Sequence, residues 1–104
     1  MKHTFFADRE HAWLEVELQE LQRLGIAGAI SEFSYLNKGG GIAYLEEDVD
    51  APLFVEAYCK MYGVKNSEFW ARVGQVTEEV SFVRGLGRYN EGIVYRSMGQ
   101  SVGS

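Results

Sequence analysis

The sequence predicts a single α+β domain, in which helices pack on one face of a small antiparallel sheet. Segments 11–17 and 41–45 show the two-residue periodicity that is typical of strands. Segment 18–24 repeats leucine at every third residue, and a helix start signal stands near residue 50. A chain of 104 residues has room for one hydrophobic core. We therefore predict the order strand, helix, two-stranded hairpin and helix, followed by a less regular C-terminal segment.

The composition is that of a compact chain. Hydrophobic residues make up 46% of the sequence and aromatic residues 13%, which argues against global disorder. No apolar run approaches the roughly 18 residues of a membrane span, and acids follow the N-terminus too early for a signal peptide. The single cysteine, Cys59, agrees with a reducing compartment. We expect a cytoplasmic protein without membrane association, with one domain at residues 1–96 and a flexible tail at residues 97–104.

The first strand and the first helix follow each other directly. The strand places Leu14 and Val16 on one face and Trp13 on the other. The helix is short, and Gly25 is placed to end it in the left-handed conformation. That ending would let Ile26 fold back against the last turn.

A β-hairpin is predicted from residues 30–36 and 41–45, whose large apolar side chains again alternate. The connecting residues 37–41 include three glycines, which permit positive φ in the turn. Phosphate-binding loops are also rich in glycine, but they feed the N-terminus of a helix. Because this loop feeds a strand, we interpret it as a hairpin turn.

The second helix has the clearest boundaries in the sequence. Asp50 is predicted as its N-cap, and Pro52 falls in the first turn, where its missing N–H is harmless. Val49 is placed to pack on Phe54 as a hydrophobic staple. Apolar residues at helical spacing continue until Gly63, where the helix is expected to end.

The signals beyond the second helix are weaker. Ser67 is predicted to cap a short helix, and residues 76–82 alternate like an additional strand. Residues 84–92 show neither the periodicity of a helix nor that of a strand, and we expect them to be irregular.

Four carboxylates stand within five residues at the start of the second helix, at Glu46, Glu47, Asp48 and Asp50. Acids near a helix N-terminus are stabilised by its free N–H groups and its dipole, which gives them a structural reason. Glu46, Asp48 and Asp50 also resemble the oxygen ligands of Mg²⁺ or Ca²⁺, although the spacing lacks the calcium-loop pattern. A third interpretation is an acidic contact surface for a protein partner at Glu46, Glu47 and Asp48.

Other chemistry-bearing residues do not form a recognisable set. His3 and His11 with one cysteine are too few for a zinc site. We expect His3 to lie at a disordered end and His11 to form a hydrogen bond at a strand edge. None of the serines lies in a GxSxG-like elbow. Cys59 falls near the apolar stripe of the second helix and is interpreted as a small core residue. The sequence predicts no catalytic residue and no cofactor.

The charge is unevenly distributed. Residues 1–83 carry 14 acids and 7 bases, whereas residues 84–104 carry three arginines and one glutamate. The acidic body disfavours general binding to duplex DNA, because phosphates repel it. Arg84 and Arg88 remain candidates for contact with a partner, through a carboxylate or a phosphate.

Aromatic residues at Trp13, Tyr35, Tyr44 and Trp70 offer a possible stacking face for single-stranded nucleic acid. No Lys or Arg is interleaved with them in the sequence, so we interpret them as core or interface residues. A nucleic-acid binder that uses the C-terminal arginines is kept as an alternative.

Three segments resemble a family of small uncharacterised bacterial and phage proteins. They are His11-Ala12-Trp13-Leu14-Glu15-Val16, Ile30-Ser31 with Phe33-Ser34-Tyr35, and Tyr44-Leu45-Glu46-Glu47-Asp48-Val49-Asp50-Ala51 with Phe54. Phe82-Val83-Arg84 and Arg88-Tyr89 are similar to the arginine-bearing end of that family. The chain departs from the family pattern at Ala12, where a glycine is usual, and at Val49, where a cysteine is usual. The resemblance implies a bacterial or mobile-element origin and brings no activity.

Together these observations predict a non-enzymatic accessory protein that binds a protein partner or a second copy of itself. The most specific hypothesis is a phage-type inhibitor whose acidic face binds a basic host protein that handles nucleic acid. The main alternative is a small metal-dependent hydrolase or nuclease centred on Glu46, Asp48 and Asp50.

Overall fold

The computed structural model describes residues 3–89, which form one mixed sheet with three α-helices. The strands are β1 (Thr4–Ala7), β2 (Ala12–Glu17), β3 (Tyr35–Leu36), β4 (Ile42–Glu46), β5 (Gly74–Thr77) and β6 (Gly87–Arg88). The helices are α1 (Leu18–Arg23), α2 (Asp50–Tyr62) and α3 (Asn66–Ala71), and two 3₁₀ turns lie at Ala27–Ala29 and Phe82–Gly85. The predicted α+β class is confirmed. The predicted tail at residues 97–104 lies outside the described residues.

The six strands are arranged in the order β5-β1-β2-β4-β3-β6. All neighbouring strands are antiparallel except β1 and β5, which are parallel. Parallel neighbours require a long crossover, and here the chain between them includes the other central strands and all three α-helices. The sheet is therefore mixed, whereas the sequence predicted a purely antiparallel one and no strand at β1.

One face of the sheet is covered by the helices. Inward-facing residues of the strands are Leu14, Val16, Leu36, Ala43 and Leu45, and they pack with Leu21, Phe54, Val55 and Phe69 of the helices. Alternate residues of a strand point to opposite faces, so this set follows directly from the sequence periodicity. The predicted packing of helices on one sheet face is confirmed.

The second face of the sheet carries a smaller aromatic cluster. Trp13 and Tyr44 are buried there with Val83 of the second 3₁₀ turn. Phe82 of the same turn contacts Phe6 and Tyr44 edge-on. The residues of β2 thus divide between the two faces as predicted, and the 3₁₀ turn covers part of the face that the helices leave open.

The hairpin is shorter than predicted on its first side. Only Tyr35 and Leu36 pair with β4, because the preceding loop turns toward the start of α2. The Asn37 side chain accepts hydrogen bonds from the amides of Gly41 and Ile42. Gly40 has φ +75°, so a glycine supplies the left-handed residue that the turn needs.

The predicted ends of α1 and α2 are confirmed. Gly25 has φ +74°, and the amide of Ile26 donates to the carbonyl of Leu21, which is the fold-back expected at this terminus. Gly63 ends α2 with φ +65°. The start of α1 was not resolved by the sequence, and the structure shows a capping box there in which Glu17 and Glu20 satisfy free amides.

The segment after α2 differs in detail from the prediction. The short helix begins after Lys65, so Ser67 lies inside it and is not its cap. The additional strand ends at Thr77, before most of the predicted alternation. Ser81 is buried and accepts a hydrogen bond from the amide of Val83, which starts the 3₁₀ turn. No helix in the described part of the chain has the length and apolar character needed to cross a bilayer.

The expectation that His3 lies at a disordered end is wrong. His3 is buried, and its Nε2 atom lies 2.9 Å from a carboxylate oxygen of Glu20. Its ring also contacts Phe54, Tyr58 and Phe69, with centroids 5.3 to 5.7 Å apart. The residue before β1 therefore belongs to the core, because a carboxylate on α1 and aromatic rings on α2 and α3 supply its partners.

Candidate acidic contact site

The carboxylates predicted as a contact surface lie in the turn between β4 and α2. β4 ends at Glu46, and residues 47–49 form the turn. One carboxylate oxygen of Glu46 accepts hydrogen bonds of 2.9 Å from the amides of both Asp48 and Val49. Glu46 thus closes the turn with its own side chain, and this contact holds the following residues in place.

The same turn brings three carboxylates together. Glu46, Glu47 and Asp48 each offer an oxygen, and these oxygens all lie within 4.8 Å of one another. On a continuing strand Glu47 would point away from the other two. Because the strand ends at Glu46, that alternation is lost and the side chains converge.

The electrostatic consequence is visible at Glu47. Burial raises the pKa of its carboxyl, and the charges of Asp48 and Glu46 raise the pKa further, while His11 acts in the opposite direction. Within residues 3–89, no ion pair involves any of the three acids. The described part of the molecule therefore concentrates negative charge here without a bonded cation, and we call Glu46, Glu47 and Asp48 the acidic cluster.

Asp50 is separate from the acidic cluster and has a different role. The residue is only 1% exposed, and its carboxylate accepts hydrogen bonds from the Ser31 amide, the Ser31 hydroxyl and the Ser34 hydroxyl. The prediction that Asp50 is the N-cap is wrong. Asp50 is the first residue of α2, and Val49 occupies the N-cap position without a side-chain cap hydrogen bond. A cap bond needs an amide within the same turn, whereas the serines, 16 and 19 residues away, capture this carboxylate instead.

This contact also changes the metal hypothesis. The set that converges is Glu46, Glu47 and Asp48, whereas the sequence proposed Glu46, Asp48 and Asp50. The Asp50 oxygens are already bonded to two serines inside the protein. The Ser34 hydroxyl in turn accepts the amide of Glu46 at 2.9 Å, which ties the end of β4 to the start of α2.

Two exposed apolar side chains belong to the turn of the acidic cluster and to the loop that Ser34 bonds to Glu46. Val49 follows it directly in the turn and is 49% exposed, and Phe33 is 53% exposed. Phe33 lies in the loop that Ser31 and Ser34 fasten to Asp50. Phe33 was not expected at the surface, because its spacing from Tyr35 matched a strand.

Arg84 is bonded within the protein. It forms two hydrogen bonds to the carboxylate of Asp8, and its guanidinium lies 5.5 Å from the centre of the Trp13 ring. The hydrogen bonds from Arg84 hold the pKa of Asp8 well below its usual range. Asp8 also accepts the amide of Ser81, so the pair fastens the second 3₁₀ turn to the loop between β1 and β2.

Arg88 covers the neighbouring aromatic ring. Its guanidinium lies 4.8 Å from the centre of the Tyr35 ring and donates to the carbonyl of Glu32 at 3.2 Å. Trp13 and Tyr35 contact each other edge-on. Both candidate arginines therefore cover the second face of the sheet. The fold places these cations beside the aromatic rings, although no Lys or Arg is interleaved with those residues in the sequence.

The aromatic residues considered for base stacking occupy different positions. Trp13 is 2% and Tyr44 is 6% exposed, so neither ring offers a face to a base. Trp70 lies on the helix side, where it packs edge-on against Phe5. These positions agree with the interpretation of the rings as core residues.

No protein-family model matches the chain, and neither a curated protein nor a solved structure is significantly similar to it. The resemblance to a family of small bacterial and phage proteins stays a prediction.

Proposed function

We propose that this chain is a non-enzymatic accessory protein that binds a basic protein partner through the acidic cluster. The observation that supports the proposal is the convergence of Glu46, Glu47 and Asp48 within 4.8 Å, with no ion pair to them among residues 3–89. Burial and the charges of Asp48 and Glu46 raise the pKa of Glu47, and a lysine or arginine of a partner would offset the part that comes from these charges. The proposed contact is therefore favourable for both surfaces.

The apolar neighbours of the cluster support a protein partner over a small cation. Protein interfaces combine a few buried aromatic or aliphatic anchors with a polar rim. Phe33 and Val49 are about half exposed and are available as such anchors. The buried bonds of Asp50 to Ser31 and Ser34 fix the loop and the turn relative to each other, so the surface is pre-organised.

The overall charge favours the same class of partner. The net charge of −5 attracts a basic protein over distance and repels nucleic acid. We further propose that the chain is of bacterial or phage origin and acts in the cytoplasm. There, a protein that handles nucleic acid would have the basic surface that the acidic cluster binds. In that form the chain acts as an inhibitor by occupying the basic surface of its target.

Capture from a bacterial lysate tests the proposal. The full chain is immobilised and compared with the double variant Glu47→Gln/Asp48→Asn, which keeps Glu46 and its turn-closing bonds. The matched control is Glu56→Gln/Glu68→Gln, which changes the charge equally at two exposed acids outside the cluster. We expect the first variant to lose about tenfold or more of a captured lysine- and arginine-rich protein, while the control retains it.

Phe33→Ala provides the second arm of the experiment. If the loop contributes an anchor, this variant weakens capture of the same protein without any change in charge. Equal capture by the wild type and the Glu47/Asp48 variant overturns the proposal. Loss of capture by the Glu56/Glu68 control to the same extent also overturns it, because binding would then follow net charge alone.

A metal site is the competing candidate, favoured by the same spacing of oxygens. One oxygen of Glu46 already accepts two amide hydrogen bonds, which reduces its availability as a ligand. Calorimetric titration with Mg²⁺, Mn²⁺ and Ca²⁺ separates the candidates. Saturable binding below about 1 mM that Glu47→Gln/Asp48→Asn abolishes would favour a metal-dependent enzyme, and its absence favours the protein contact.

A further inference from the structure

The outer edge of β5 is open in the described part of the molecule. β5 is the terminal strand of the sheet, and its neighbour on the inner side is β1. The amides of Gly74 and Glu78 donate to carbonyl groups at the two ends of the β1 segment. Because the backbone groups of a strand alternate in direction, the amides of Gln75 and Thr77 point away from the sheet.

Among residues 3–89, nothing gives this edge the usual protection against pairing. Natural sheets protect their edges with lysine, proline, a bulge or a covering segment. Within β5, the exposed residues Gln75, Val76 and Thr77 are uncharged and follow one another without a proline. Val76 is 39% exposed and Val80, just beyond the strand, is 67% exposed. An added strand would cover apolar surface as well as backbone groups.

The charges beside β5 are self-complementary. Arg72 stands two residues before the strand, and Glu78 and Glu79 follow it directly. All three are exposed, and none of them takes part in an ion pair within residues 3–89. An antiparallel copy of the same strand would bring Arg72 of one molecule to the end that holds Glu78 and Glu79 of the other.

We propose that two copies of this chain pair antiparallel through β5 and join their sheets into one continuous sheet around a twofold axis. Only outward groups exchange ladder hydrogen bonds, and the register in which both Gln75 and Thr77 do so with each other is the one proposed. Gln75 of one copy then lies opposite Thr77 of the other, and Val76 lies beside its counterpart on the axis. A parallel pairing would place arginine beside arginine and acid beside acid.

A charge exchange tests the proposal on the full chain. A contact between two four-residue strands is small, so we expect a monomer–dimer equilibrium with a dissociation constant in the micromolar to millimolar range. Sedimentation equilibrium between about 10 μM and about 1 mM covers that range. Arg72→Glu places like charges together at both ends and is expected to raise the dissociation constant about tenfold. Adding Glu78→Arg and Glu79→Arg in the same chain restores the opposite charges, and dimerisation is expected to recover to within about threefold.

Lys38→Glu is the matched control, since it makes the same change in charge in the exposed hairpin turn. We expect it to leave the dissociation constant unchanged. A chain that stays monomeric over the whole range overturns the proposal. So does a dimer that Arg72→Glu leaves intact, or one that Lys38→Glu weakens equally.

Amide hydrogen exchange locates the interface directly. The Gln75 and Thr77 amides are expected to exchange slowly at high protein concentration and at least about tenfold faster where the monomer dominates. Slow exchange of these two amides in the monomer overturns the proposal, because another segment of the same chain would then cover the edge.

The dimer and the proposed partner contact are independent. Glu47→Gln/Asp48→Asn alters the acidic cluster, which lies between β4 and α2, and is expected to leave the dissociation constant of the dimer unchanged. Arg72→Glu is expected to leave capture of the basic protein intact. The failure of either proposal is therefore distinguishable from the failure of the other.

Discussion

The hydroxyl of Ser34 donates a hydrogen bond to the carboxylate of Asp50, and both residues are buried. The same hydroxyl accepts the amide of Glu46. The Ser34 hydroxyl thus joins the loop before β3, the end of β4 and the first turn of α2. It therefore determines where the acidic cluster stands relative to the sheet.

Loss of the Asp50 carboxylate is expected to destabilise the fold strongly. Asp50→Ala leaves two serine hydroxyls and an amide without their acceptor, and we expect the free energy of unfolding to fall by about 3 kcal/mol. Asp50→Asn keeps one acceptor oxygen and is expected to cost about 1 kcal/mol. Urea denaturation monitored by tryptophan fluorescence measures both.

Asp48→Ala is the control for this pair, because Asp48 is exposed two residues away. Its effect is expected to stay within about 0.5 kcal/mol. An Asp50→Ala variant as stable as Asp48→Ala would contradict the structural role assigned to the buried carboxylate.

Glu20 is expected to make stability depend on pH. Burial alone would raise the pKa of Glu20, but hydrogen bonds from His3 and from the Glu17 amide lower it below its usual 4.5. A lowered carboxyl pKa stabilises the fold above pH 4.5, and this contribution is lost as the pH falls through the folded-state pKa. The stability difference between wild type and Glu20→Gln should therefore shrink on acidification.

Denaturation of both proteins between pH 7 and about pH 3 measures that difference. Glu68→Gln, at an exposed position of α3, serves as the reference substitution. A difference between the wild type and Glu20→Gln that stays constant, or grows, as the pH falls would contradict the prediction.

Removal of the Asp8 carboxylate is expected to loosen the second 3₁₀ turn. Asp8→Ala frees the amides of Glu10, His11 and Ser81, which all donate to this carboxylate, and releases Arg84. Exchange of the Ser81 amide should accelerate about tenfold or more. The Glu46 amide, which is bonded to Ser34, should keep its rate. Unchanged exchange at Ser81 would show that Asp8 does not hold the turn.

The acidic cluster is expected to lower the stability of the fold. Because the pKa of Glu47 is raised by burial and by Asp48 and Glu46, its charged form is disfavoured in the folded state. Glu47→Gln should therefore stabilise the protein at pH 7, by no more than about 0.5 kcal/mol since solvent screens these charges. The gain should vanish below pH 4.5, where the carboxyl becomes protonated in both states.

Glu56→Gln is the reference variant for this measurement, because it removes one carboxylate at an exposed position of α2 outside the cluster. A destabilising effect of Glu47→Gln at pH 7 would mean that the carboxylate has a cationic neighbour, contrary to the proposed contact site. A stabilising effect would agree with a Glu47 carboxylate that is retained for binding although it lowers the free energy of unfolding.

Much of the fold could be predicted because its signals are local. Leu14 and Val16 alternate with Trp13, Gly25 ends α1, and Gly63 ends α2, and each of these follows from neighbouring residues. The orientation of Asp50 could not be predicted in the same way. The local preference for an N-cap competes with two serines that approach only when the chain is folded.

The candidate site was predicted in composition but not in geometry. The number of acids is plain from the sequence, yet their convergence depends on β4 ending at Glu46. His3 and β1 were missed for a related reason. The four residues of β1 are too few to show a periodicity. The partner of β1 is β5 and the partner of His3 is Glu20, and both come from distant parts of the chain.

The parallel pairing of β1 with β5 also sets the order of events during synthesis. Thr4 and Gly74 are neighbours in the sheet although 70 residues separate them in the sequence. A ribosome must therefore release most of the chain before β1 can acquire its second neighbour, and contacts of such long range slow folding. Until then the growing polypeptide presents an incomplete sheet to chaperones and to other nascent chains.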